Sequence, residues 1–189
     1  IRGIVNKIAQ YFDERADEWD ASGNCEHNRV QGAVLSLACV QEGDRVLDLG
    51  CGTGVMMPVY LEAKVASATG VDLSSRMVAC AREKFQEIDA LDFITADVLD
   101  LDESRPYDAV VIYNAYPHFM DKPALVEKVY RLLKPGKRFV VAHGTGKDGI
   151  NQHHQAVDAG VSSGLRAVSV ESEVWRKRFD IEALVDTPA

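Results

Sequence analysis

The amino-acid sequence predicts an α/β protein, a doubly wound and mostly parallel sheet with helices on both faces. Short apolar runs that end in acids or polar residues alternate with stretches of helical periodicity almost throughout the chain. The first run, Val46-Leu47-Asp48-Leu49, passes straight into Gly50-Cys51-Gly52-Thr53-Gly54. Glycines at such a turn admit positive φ and let the backbone approach a ligand closely. The second run, Val65 to Val71, ends at Asp72, and the separation from the glycine loop matches the roughly 20 residues expected between a nucleotide loop and a ribose-binding acid. Right-handed crossovers then set the carboxyl ends of strands one to four along one sheet edge. There Asp48, Asp72, Asp97 and Asn114 surround one ligand.

In chain order, residues 3–18 carry Ile4, Val5, Ile8, Tyr11, Phe12 and Ala16 at helical spacing, an amphipathic helix. Gly23 interrupts it, and Val30 to Val40 form a second helix that ends near Gly43 and leads into the first strand. After the glycine loop, Val55, Met56 and Met57 start a helix reaching about Ala63. Ser74 or Ser75 caps the helix after the second strand, with Met77, Val78, Ala81, Phe85 and Ile88 on its apolar face. Leu91 to Val98 supplies a third strand with Asp97 just past it, and Tyr107 to Asn114 a buried fourth that borders the site. Asp121-Lys122-Pro123 opens the next helix and Lys134-Pro135-Gly136 stops it. Phe139 to Ala142 is the fifth strand, ending at His143, and a helix follows from near Lys147. Residues 158–168 suit a loop, Ser169 caps a short helix with Arg176 to Arg178 in its last turn, and Phe179 to Val185 alternates like a sixth strand.

A chain of 189 residues with 47% hydrophobic content suits one domain with a sizeable core. Residues 1–43 form a helical lead-in, 44–143 the ligand-binding core and 144–189 a substrate-side segment. A net charge of −8 without a long basic run argues against a nucleic-acid partner. The four cysteines form no Cys-x-x-Cys pair, which suits reduced thiols in the cytoplasm and no metal site. No stretch approaches the roughly 18 apolar residues of a membrane span, and Ile1-Arg2-Gly3 has no signal-peptide character. The expectation is a soluble protein, and a start on Ile suggests that a few native residues precede it.

The glycine loop also carries a chemical preference. Asp48 stands two residues before the first glycine, and no Lys or Arg occurs between Arg45 and Lys64. A pyrophosphate wants a neutral or basic loop, whereas this one suits a ligand with positive charge. The spacing Gly-x-Gly-x-Gly, with Val55 following, differs from the dinucleotide fingerprint. Asp48 through Gly54 resembles the first motif of the class I S-adenosylmethionine-dependent methyltransferases, which have a Rossmann-like fold. The resemblance covers roughly residues 8 to 143, including the lead-in Tyr11 to Asp20 and the Leu-Leu-Lys-Pro-Gly ending at Gly136. It implies S-adenosylmethionine as cofactor, held by Asp48, Gly50, Cys51, Gly52, Thr53 and Gly54. Asp72 would take the ribose, Leu73 and Met77 the adenine face, Asp97 the adenine amino group and Val98 a ring nitrogen, with Asn114 beside the active site. Lead-in aromatics lie over the cofactor in many small-molecule members. The family's seventh strand has no sequence left to supply it after Thr187-Pro188-Ala189, so a sheet edge would stand open to pairing with another chain.

The segment Tyr113 to Phe119 departs from the Asn-Pro-Pro-Tyr pattern of members that methylate amino groups of bases or glutamine. Its nearest general likeness is to the small-molecule group that includes quinone-biosynthesis enzymes. His118 and His143 lie at the ends of strands four and five, and helical spacing turns His154 inward with Ile150 and Val157. One of these imidazoles suits a general base. The alternative function is a protein that binds S-adenosylmethionine as a sensor without transferring its methyl group.

Overall fold

The computed structural model describes residues 2–22, 29–155, 157–158 and 160–186. Gly23 and Cys25 therefore lie outside the described residues. Strands β1 (Arg45–Leu49), β2 (Ser67–Asp72), β3 (Leu91–Thr95), β4 (Tyr107–Tyr113) and β5 (Leu133–Ala142) form one parallel sheet in the order β3-β2-β1-β4-β5. The order reverses direction between β1 and β4, and the loops leaving these two strands diverge to open a crevice there.

Alternation along the central strands builds two apolar layers. Val46 of β1 and Ala109, Val111 and Tyr113 of β4 face one side, where they meet α3 (Arg29–Leu37), α4 (Met57–Glu62) and α5 (Ser75–Lys84) through Val34, Tyr60 and Val78. Leu47 and Leu49 of β1 and Val110 and Ile112 of β4 face the other, against α6 (Lys122–Leu132) and α8 (Val168–Trp175). Both central strands are buried on both faces, which is why they read as continuous apolar runs. The two remaining helical pieces at the start of the chain, α1 (Arg2–Asp13) and α2 (Ala16–Trp19), pack on α5, and α7 (Lys147–His154) follows β5.

Several boundaries differ from the sequence expectation. The first helix breaks at Glu14 and Arg15, where the Arg15 N–H donates to Phe12 O and its guanidinium to Tyr11 O at 2.7 Å, tightening the turn. Residues 52–56 form turns, so that α4 starts only at Met57. Helix α5 ends at Lys84, and Phe85 turns away to stack on Phe93. Strand β5 begins at Leu133 rather than Phe139, because Leu133 pairs with Tyr107 and Arg138 with Ala109 while the residues between bulge outward. Ser169 does not cap α8. The cap position is Ala167, and the Glu171 carboxylate instead accepts from the Arg166 N–H at 3.0 Å. Arg176 to Arg178 consequently follow the helix rather than filling its last turn.

The expected sixth strand, Phe179 to Val185, does not form. Phe179 packs against Phe139 at 4.4 Å, Glu182 pairs with Arg138, and Asp186 accepts from the Lys147 N–H. Leu184 and Val185 are 43% and 70% exposed. With no layer facing them, these side chains gain little from a ladder, so the segment is held by side-chain ties and β5 remains the sheet edge among the described residues.

Trp175 closes this end of the molecule. It stacks on Phe139 at 4.4 Å and its indole N–H donates to the Tyr116 hydroxyl at 3.1 Å. Trp175→Ala should lower unfolding free energy by about 3–5 kcal/mol, the usual cost of truncating a buried aromatic, as read by urea denaturation.

Candidate active site

A cavity of about 890 Å³ opens where the carboxyl ends of β1, β2, β3 and β4 meet. The glycine loop forms its floor. Gly50 has φ +74°, its N–H donates to Val71 O at 2.8 Å, and a Cβ there would collide with Ala115. Gly52 has φ +53° and lines the cavity, and a Cβ added to it would meet no protein atom within 4 Å. A larger side chain at Gly52 would therefore enter ligand space. Cys51 and Thr53 also line the wall, whereas Gly54 packs against Phe85 away from it.

Asp72 does more than face the cavity. Its Oδ2 accepts from the Gly52 N–H and its Oδ1 from the Ser74 N–H, each at 2.9 Å. Every carboxylate oxygen has a second lone pair, so both can still accept from a ligand hydroxyl. Ser74 caps α5 by accepting from the Met77 N–H at 3.0 Å, which brings Leu73 and Met77 to the wall. Asp97 accepts from the Leu99 N–H at 3.0 Å, opening a short 3-10 turn that presents Val98 and Leu99. Asn114 sits at φ +55°, and its side-chain oxygen accepts from the Gly144 N–H at 2.7 Å. That bond ties the ends of β4 and β5 together beside the cavity.

Asp48 lies behind this wall, 1% exposed, on the α4 side of the sheet. Its Oδ2 and the Tyr60 hydroxyl face each other without closing a hydrogen bond of normal geometry, and neither has another partner among the described residues. Burial, reinforced by the Asp72 charge, raises the Asp48 carboxyl to about 7, with Tyr60 opposing weakly. Burial also raises Asp72, while the Ser74 and Gly52 N–H groups pull it back. Two buried acids side by side favour a cation in the cavity.

Helices α1 and α2 roof the site, with Ile8, Phe12 and Trp19 on the wall. Acids fasten the roof. Asp13 accepts from Ser74 Oγ at 2.6 Å and from the Arg76 N–H at 3.0 Å, Asp17 pairs with Arg76, and Asp20 accepts from Thr53 Oγ1 at 2.5 Å. One cation does reach the glycine loop, from α5: Lys84 Nζ donates to Thr53 O but is paired with Asp20 at 2.5 Å.

Histidines line the same cavity. His118 and His154 line the cavity with ring centroids 5.1 Å apart, and His153 lies beside His154. His118 Nδ1 is 2.8 Å from Val161 O. A carbonyl only accepts, so Nδ1 carries the proton and Nε2 the lone pair. Burial and then the neighbouring imidazoles hold the His118 pKa down at about 4, with the Val161 bond opposing. His154 Nδ1 is 2.8 Å from Ser162 Oγ. His143 stands outside the cavity wall, its ring nitrogens buried and without a hydrogen-bond partner among the described residues, and its pKa is also lowered to about 4 by burial. Among the described residues no group of three His, Cys, Asp or Glu side chains has the geometry to hold a metal ion. The supports at Val161 and Ser162 left no trace in the sequence, since a backbone carbonyl has no signature and a loop serine is ordinary.

The Asp48 shift has a measurable sign. Its folded pKa exceeds the unfolded value of 3.8, so its contribution to stability is fully present below about pH 4 and is lost as pH rises through about 7. In denaturant titrations of the ligand-free protein, Asp48→Asn should flatten this decline relative to the parent chain.

Comparison with known proteins follows the same residues. A family model described as a methyltransferase domain matches residues 46–136. The malonyl-[acyl-carrier protein] O-methyltransferase of Priestia megaterium is 28% identical over 137 residues, covering 70% of this chain and 50% of that protein. The chloroplastic 2-phytyl-1,4-beta-naphthoquinone methyltransferase of Arabidopsis thaliana is 30% identical over 147 residues, covering 72% and 54%. The chain thus spans about half the length of these curated relatives. Among solved structures, the DhpI-SAH complex aligns with a TM-score of 0.64 at 26% identity, covering 78% of this chain and 72% of that one. With its glycine loop, strand-end acids and sheet order, the chain belongs to the class I S-adenosylmethionine-dependent methyltransferase family.

Proposed function

We propose that this protein is an enzyme that binds S-adenosylmethionine in the cavity and methylates a small molecule. The observation that carries it is the convergence of the glycine loop, Asp72 and Asp97 on one cavity whose acidic half lacks a compensating cation among the described wall residues. When bound, S-adenosylmethionine supplies a methyl group on a positively charged sulfur. Asp72 accepts from the ribose hydroxyls, and Leu73 and Met77 contact the adenine, with Asp97 and the Val98 N–H at its edge. The loop residues Gly50, Cys51, Gly52 and Thr53 take the methionine portion by their backbone, Gly54 packs behind them against Phe85, and Asp48 acts from beneath as a buried acid. Asn114 fixes the β4 and β5 ends around the reacting centre. His118 is the proposed base, since its held tautomer leaves the lone pair on Nε2 of a ring that lines the cavity, with His154 next to it.

No helix among the described residues is long and apolar enough to cross a membrane. Free thiols at Cys39, Cys51 and Cys80 support a reducing, cytoplasmic setting. The proposed partner is a small-molecule substrate.

Two measurements test this function. In calorimetry, S-adenosylmethionine and S-adenosylhomocysteine should bind and NAD should not, and Asp72→Ala should weaken binding by about 1.5–3 kcal/mol while Gly52→Val abolishes it. Binding of NAD in their place would refute the assignment. In steady-state kinetics, His118→Gln should lower turnover by about 10²–10⁴-fold with cofactor affinity unchanged. For the parent enzyme, kcat/KM should fall as pH drops through about 4, where His118 gains a proton.

A further inference from the structure

Asp48 differs from the other acids around the cavity. Asp13, Asp20, Asp72 and Asp97 each accept a hydrogen bond that fastens the roof or shapes a loop. Asp48 instead stands inside the sheet, level with Gly70 of β2 and Val111 of β4 and 1% exposed. Its Oδ2 has no hydrogen-bond partner among the described residues, and neither has the Tyr60 hydroxyl that faces it. A buried carboxylate without a partner is costly, so this seat favours the neutral acid until a positive charge comes near.

The protein itself brings none. Facing Asp48 are Tyr60 of α4, Cys51 of the glycine loop and Asp72 at the end of β2, and Tyr113 of β4 lies on the same side of the sheet, with Val34 of α3 and Val78 of α5. Burial keeps Tyr60 and Cys51 protonated. Lys84 of α5, which reaches Thr53 O, is paired with Asp20. The ligand cavity, by contrast, is close: Leu49, Gly50 and Cys51, the three residues after Asp48, line it. A charge there acts on Asp48 through the thin loop without touching it, and the poorly polarisable surroundings strengthen that attraction.

Building on the proposed binding of S-adenosylmethionine, we infer that Asp48 is a proton-linked counter-charge, a neutral acid in the ligand-free protein that ionises when the cofactor's positive charge reaches the glycine loop. Binding then expels one proton. The carboxyl O–H bond breaks, its electron pair stays on oxygen and the proton passes to the solvent. The Tyr60 hydroxyl, already facing Oδ2, can turn its own proton toward the new charge, which gives both unpartnered groups a partner.

Burial, and then the Asp72 charge, raises the ligand-free carboxyl to about 7, and a cation beside it lowers that value. The ligand thus prefers the deprotonated form, and its apparent affinity rises with pH up to about 7 and levels off above it. The wall histidines do not mimic this, since burial holds His118 at about 4 and lowers His154.

Calorimetry on the full chain, in buffers of different ionisation enthalpy, counts the protons exchanged as S-adenosylhomocysteine binds, its ammonium being the positive charge. At about pH 6 the parent should release about half a proton or more beyond what Asp48→Asn releases. From about pH 6 to about pH 8 the parent's affinity should rise about three- to tenfold, and that of Asp48→Asn far less. Methylthioadenosine, which lacks the ammonium, should release no more from the parent than from the variant. Infrared difference spectra need no variant: the carbonyl band of a protonated carboxyl should vanish as S-adenosylhomocysteine binds the parent. Equal proton release by parent and Asp48→Asn overturns the inference, as does equal release with both ligands. Should Asp48→Asn not fold, a carboxyl band that persists in the bound parent overturns it. If S-adenosylhomocysteine binds without a linked proton, the cofactor assignment stands and this inference falls. If S-adenosylhomocysteine does not bind at all, both fall.

Discussion

One carboxylate holds the two central loops of this protein in register. Strands β1 and β2 are hydrogen-bonded neighbours that end side by side, and the chain leaving each of them has to turn sharply at the same level. Asp72 accepts from Gly52, on the first of these turns, and from Ser74, at the start of the helix after the second. Backbone amides satisfy part of what burial takes from the charged form, and a hydrogen bond to an ionised acceptor is among the stronger ones available. The positive φ of Gly52, the capped start of α5 and the attachment of the roof through Ser74 all follow from that single junction. It also explains why an acid, rather than any polar residue, stands at this strand end: only a carboxylate offers two oxygens with lone pairs to spare for a third partner.

The electrostatic plan of the cavity is divided. Carboxylates with raised pKa values stand at the glycine loop, Asp72 on the wall and Asp48 behind it, and imidazoles with lowered ones stand after β4 and β5, His118 on the wall and His143 off it. Each group is held away from its charged form by burial, and each becomes easier to charge when an opposite charge arrives. Transfer of a methyl group removes a cation from sulfur and, with a histidine base, creates one on nitrogen. The enclosed charge is then the same before and after, so the site need not take up or expel an ion during the reaction.

Much of the sheet was legible because its signals are local. Central strands buried on both faces appear as apolar runs, and the runs around Leu47, Val71 and Val110 each became a strand. The glycine loop and the strand-end acids were legible for the same reason: their conformations demand particular residue types at fixed offsets. Of the named site residues, the loop from Gly50 to Thr53, Asp72, Leu73, Met77, Asp97, Val98, Asn114, His118 and His154 share one cavity wall. Asp48, Gly54 and His143 do not reach it, since alternation turns Asp48 under α4, Gly54 abuts Phe85, and His143 is covered by its surroundings. The end of the chain was poorly legible. Alternation from Phe179 to Val185 mimics a strand, but a strand also needs a facing layer, which no local pattern encodes. The Ser169 cap failed because a reach-back from Glu171 to Arg166 took its place, a choice between near-equal local bonds.

The roof over the cavity is attached by fastenings of unequal exposure. Near the α5 start, Asp13 grips Ser74 and the Arg76 amide in a partly buried seat, whereas Asp17 and Arg76 meet in the open, with side chains 71% and 55% exposed. Mobile ions screen an exposed pair far more than a sheltered one. Electrolyte therefore weakens the Asp17–Arg76 pair more than the Asp13 seat, while Asp20 still ties the end of α2 to Thr53 and Lys84. In concentrated salt the roof's hold on the start of α5 rests on the sheltered seat more than on the open pair.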